Sequence, residues 1–169
     1  SKLNTYTKRG STGTSGAGNS IEFWAAENAT GGAVHTATVT FSGSPDGTAY
    51  LVEVTGAATA SVDQTGGAPD ATSPYEATLG TLAQADELIL SMIAATDAAP
   101  TFASTNGTLI DAEQNGALYW TSAIAKRVVA STTGPTVGFT GGNADSIVAA
   151  VSFKQAAAGG DVLMAQICM

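Results

Sequence analysis

The side chains able to do chemistry are few. The chain holds one imidazole, His35, and one thiol, Cys168. Any Ser/His/Asp relay would have to run through His35, because nucleophilic catalysis needs a base beside the nucleophile. His35 shares its alternation with Ala37, Val39 and Phe41 just after Gly31-Gly32, which predicts a strand-end histidine bonded to a backbone carbonyl. No G-x-S-x-G elbow is present, so no enzyme is expected. A single Cys excludes an internal disulfide, and one Cys with one His excludes zinc sites built from those ligands. Cys168 itself reads as a small buried hydrophobe.

Carboxylates offer more. Asp86-Glu87 precede an apolar run and read as a solvated strand entrance, whereas Asp111 and Glu113 alternate on one face of a short strand. That second pair suits a cation or a sugar hydroxyl, with simple solvation as the plainer reading. Asp63, Asp70 and Asp97 lie in loop-like sequence and could converge on calcium only through the fold, since no EF-hand loop occurs. No metal site and no cofactor are expected. Glycine-rich stretches lack both the strand-to-helix setting and the lysine of a phosphate cradle. Trp24, Tyr50, Tyr119 and Trp120 are candidate stacking platforms for glycan rings, and equally candidate core or cross-strand residues.

With 6 Lys+Arg against 14 Asp+Glu in 169 residues, the formal net charge is −8. That balance argues against nucleic acid and anionic membrane as partners, because both need a basic footprint. The longest apolar runs, such as Leu88 to Ala95, are too short to span a bilayer.

The elements that must position these groups have a period of two. Residues 35, 37, 39 and 41 share one face of Val34 to Ser42, with Thr and Ser on the other, as a half-buried strand requires. Ser42 to Gly47 supplies turn chemistry and Thr48 to Val54 resumes the pattern, so 34–54 is predicted to be a hairpin. Further strands are predicted over 20–26, 88–94 (buried on both faces), 118–128 and 147–154, with weaker ones over 4–8, 75–79, 108–112 and 136–140. Leu82 to Glu87 offers at most one helical turn. Thr55 to Pro74 lacks periodicity and reads as a long surface connection. The pattern predicts an all-β fold, an antiparallel β-sandwich of jelly-roll or Ig-like type with eight to ten short strands. Residues 1–155 form the sandwich domain. Residues 156–169 form a Gly hinge and an apolar tail strand, which packs on its own domain or docks on a neighbour.

Several phrases in order carry a resemblance: Asn4-Thr5-Tyr6-Thr7, Asn19 to Trp24 with Ala26-Glu27-Asn28, Ala37 to Gly43, Glu53 to Gly56, Glu87 to Leu90, and Val151 to Lys154. Over residues 4–155 the chain resembles a sandwich domain recurring in tailed-phage virion proteins and in secreted bacterial proteins. The resemblance implies fold more than activity. It implies one or two further strands before Asn4: either they lie outside this sequence, or the edge they would occupy is completed by something else, such as a strand from a neighbour or the apolar tail. The function expected is a structural virion protein on the outer surface of a tailed phage: a capsid decoration (cement) protein bridging capsid or neighbouring virion subunits. It would work as a homo-oligomer or as part of a larger assembly, with Leu3, Tyr6, Leu163, Met164, Ile167 and Met169 as assembly residues. The alternatives are a glycan-binding module of a tail or secreted protein, using Trp24, Tyr50, Tyr119 or Trp120, and a donor-strand subunit of an extracellular filament.

Overall fold

A computed structural model describes residues 4–11, 18–27, 29, 37–41, 47–69, 72–96, 101–115, 120–142, 145–156 and 161–168. The described residues form an antiparallel all-β sandwich without helix. Its strands are β1 (Thr7–Ser11), β2 (Glu22–Ala26), β3 (Ala49–Pro69), β4 (Tyr75–Thr78), β5 (Glu87–Ala95), β6 (Ala103–Ser104), β7 (Thr108–Asn115), β8 (Trp120–Val129), β9 (Thr136–Thr140), β10 (Ile147–Gln155) and β11 (Asp161–Cys168). One sheet has the order β1-β2-β11-β3-β10-β5-β8-β7, and a smaller sheet the order β4-β9-β6.

The centre of the large sheet is buried on both faces, as the unbroken apolar run of β5 requires. Leu90, Met92 and Ala94 enter one core cluster with Ile124, Ile147, Val151 and Phe153. Ile89, Ile93 and Ala95 enter a second with Tyr75, Val137 and Phe139 of the small sheet. The first cluster is closed by Ile21 and Phe23 at β2 and by Tyr50 and Val54 of β3. The sheet therefore folds back on itself along β3. Residues 49–57 of β3 pair with β11, and 57–69 pair with β10. Register shifts in β10 against β3, with left-handed backbone at Gly56 (φ 77°) and Ala60 (φ 53°), mark the corner.

Two expectations fail here. Residues 55–69 are strand rather than connection. Their backbone pairs with β11 as far as Ala57 and with β10 from there on, while few of their side chains are buried, so no apolar alternation is needed to hold them. Close approach also demands small residues: a Cβ at Gly66 would lie 2.3 Å from the Thr78 carbonyl oxygen. The predicted hairpin 34–54 keeps only its second arm. Residues 37–41 alternate between half-buried and exposed yet carry no ladder, and the strand that pairs with 49–57 is β11; residues 34–36 and 42–46 lie outside the described residues. The stretch offered as one helical turn, 82–87, holds bends at 83–86 and then enters β5. The Ala83 amide donates to Asp63 Oδ2 (2.7 Å) and the Gln84 amide to Glu87 Oε1 (3.3 Å), side-chain acceptors that replace a helical ladder.

The tail strand β11 pairs antiparallel with β2 on one side and β3 on the other, inside its own chain. Its register sets Leu163 opposite Val54, Met164 opposite Glu53 and Ala26, and Ile167 opposite Tyr50 and Phe23. β1 and β2 join the sheet's hydrogen-bond order through β11. They are fastened further where Arg9 pairs with Glu27 (2.9 Å) while Glu27 Oε1 accepts from the Ser61 hydroxyl and the Val62 amide.

Candidate binding cleft

Three elements bring chemistry together at one end of the fold-back. β7 and β8 pair as neighbours, with Glu113 opposite Ser122 and Asp111 opposite Ile124. Beyond a register shift between Leu109 and Asp111 the pairing is regular, and Asp111 and Glu113, two residues apart, share a face by the pleat of the strand. Across from them the start of β3 presents Tyr50, whose hydroxyl lies 2.8 Å from Ser122 Oγ and donates to the Ser122 carbonyl (3.3 Å). Burial pushes the Tyr50 phenol above its ordinary pKa, the Ser122 bond opposes this, and the charges of Asp111 and Glu113 raise it further. The phenol therefore stays a neutral donor, and both carboxylates act on it electrostatically.

Between these elements lies a cleft of about 420 Å³, lined by 47–50, Asp111, Glu113, Gln114 and Trp120. Trp120 is half-buried, and its indole N–H is shielded from solvent with no hydrogen-bond acceptor among the described residues. The cleft joins an aromatic surface, two carboxylates and an amide. Farther along the same seam, a groove of about 710 Å³ runs between 52–55 and Leu88, Ile110, Lys126 and Val128. The exposed large apolar side chains among the described residues are Leu51, Leu109, Ile110 and Val128, the last 64% exposed.

The predicted residues scatter around this site. Tyr50 and Trp120 meet in the cleft with Asp111 and Glu113, the acidic pair singled out by its alternation. Trp24 does not join them. It sits in register with Gln166, and through it with Leu51, one residue out of phase with Tyr50. Its indole instead donates to Glu22 Oε2 (3.1 Å), a carboxyl held below its usual range chiefly by its bond to Lys8, with burial opposing. Tyr6 packs half-buried against Ala26 and Ala29 of its own chain, and burial raises its pKa. Tyr119, Leu3, Met169, His35, Asp70 and Asp97 lie outside the described residues. Leu163, Met164 and Ile167 stand in the β11 ladder.

Asp86-Glu87 is not a solvated entrance. Asp86 is exposed in a left-handed conformation (φ 61°), which turns Glu87 into the interior at 0% exposure. Asp63, expected in a loop, belongs to β3. Among the described residues, no group of three or more His, Cys, Asp or Glu side chains is placed to hold a metal ion. Sequence reading missed Gln114 and the apolar exposure at Leu109, Ile110 and Val128. The run Thr-Leu-Ile-Asp carries that signal only once β7 is known to be an edge. No protein-family model, curated protein or solved structure matches the chain.

Proposed function

We propose that the chain is a structural subunit of an extracellular or virion assembly, of the capsid-decoration kind that its resemblance to tailed-phage sandwich domains suggests, and that it acts by docking rather than by catalysis. The observation supporting this is the state of β7. It is an eight-residue strand at the edge of the large sheet, paired only with β8, and residues 108–114 are all exposed. An edge of that length, with Leu109 and Ile110 on it and Val128 beside it, is a template for a neighbouring strand or apolar surface. Covering the apolar seam would contribute roughly 25 cal/mol per Å² buried, before the cost of association.

This moves the assembly surface from the tail to β7. Deleting 157–169 would remove a strand from the middle of the sheet, so loss of assembly on truncation would report misfolding. The cleaner test is Ile110→Asp and Val128→Asp, both at exposed positions. Light scattering and negative-stain microscopy of the purified chain should show association that rises with concentration and is lost in both variants, with unchanged thermal unfolding. Association that persists in both variants, or a wild-type chain monomeric at all concentrations and unbound by shells of its own virion, overturns the proposal.

A further inference from the structure

The cleft at Tyr50 and Trp120 has a composition that a docking edge does not need. The groove holds the exposed Ile110 and Val128, yet the other end of the same seam is lined by polar groups. Asp111 and Glu113 are exposed, and among the described residues no lysine or arginine lines the cleft with them. They supply four acceptor oxygens, one of which already takes the Ala112 amide at 2.8 Å. Gln114 lines the cleft beside them, and Trp120 adds a flat apolar face. A cation alone would need only the carboxylates. A set that joins clustered acceptors to an aromatic plane matches a ligand whose hydroxyls donate around an apolar ring face. That is the chemistry of a saccharide. The space of about 420 Å³ falls within the range of small-ligand sites.

We infer that this cleft is a saccharide-binding site, with Trp120 stacking on a sugar ring and Asp111 and Glu113 accepting bonds from adjacent hydroxyls. Tyr50 is the positioning residue: its bond to Ser122 fixes the start of β3 against β8 and sets the width of the cleft. The site shares β7 with the docking edge, but Ile110→Asp and Val128→Asp leave its lining residues in place, so either proposal can fail alone.

The test uses the full chain carrying Trp24→Phe, so that Trp120 is the sole indole reporter. Its fluorescence and its indole N–H resonance are followed while neutral sugars are added to about 10 mM, enough to detect millimolar dissociation constants. The panel holds glucose, galactose, mannose, rhamnose, N-acetylglucosamine and their short oligomers. At least one should give a saturable shift that survives chelator. Asp111→Asn and Glu113→Gln should each weaken it about tenfold, the effect of losing one charge-assisted bond, without changing the fold seen by circular dichroism. Three results overturn the inference: no sugar moves the Trp120 signals, only tetramethylammonium or lysine moves them, or binding is indifferent to both carboxylate variants.

Discussion

Replacing Glu87 by Gln should change how stability depends on pH. Glu87 opens β5 with no exposed surface, Oε1 taking the Gln84 amide at 3.3 Å and Oε2 lacking a hydrogen-bond partner among the described residues. Burial is the main force raising its pKa. The charge of Asp63 adds to it, while the Ser152 hydroxyl and the Gln84 amide pull the other way. In the unfolded chain Glu87 titrates near its ordinary 4.5, so above that pH the unfolded state has released a proton that the folded state still holds. Stability therefore falls as pH rises from the ordinary value to the raised one, by at most about 1.4 kcal/mol per pH unit for one proton, and is flat beyond. Below the window, protonated Glu and Gln are near-isosteres and the two proteins should be equally stable. Above it, Glu87→Gln should be the more stable by the area under that slope. Urea unfolding at half-unit steps from about pH 4 to pH 9 measures the difference between the two proteins, which cancels Glu22, whose lowered pKa acts with the opposite sign. Parallel curves throughout, or a variant that loses stability at high pH, would refute the reasoning.

Two further predictions concern the scaffold. Phe139 is fully buried and meets Phe102 edge to face, centroids 6.5 Å apart at 73°, so Phe139→Ala should cost about 3–5 kcal/mol in urea unfolding with an unchanged m value; a loss below about 1 kcal/mol would mean that the small sheet is not packed on β5 as described. Gly66→Ala should cost about 1–3 kcal/mol, because its Cβ would meet the Thr78 carbonyl, a backbone atom that cannot swing aside; a neutral result would place β3 farther from β4.

Most of the strand inventory was legible in the sequence, because side-chain alternation and turn chemistry are local. The strand predicted over 136–140 coincides with β9, and the doubly buried reading of 88–94 matches β5 lying between two core clusters. The pairing of Asp111 and Glu113 on one face followed from the same period of two. What alternation could not carry is partnership. It names the face of a residue but not the strand beside it, so a non-periodic stretch such as 57–69 becomes a strand only because β10 lies alongside to take its backbone bonds. The same holds for the tail, whose apolar residues said that it must be covered. Only the fold decided that β2 and β3 of its own chain flank it. Glu87 is the sharpest case: two adjacent acids look alike in sequence, and a single left-handed residue, Asp86, sends one to solvent and the other into the core. Composition and periodicity determined that this chain is an acidic, all-β molecule. Which residues meet across the Tyr50 cleft was decided by hydrogen bonds between segments about seventy residues apart, such as Tyr50 to Ser122, a separation that no local pattern records.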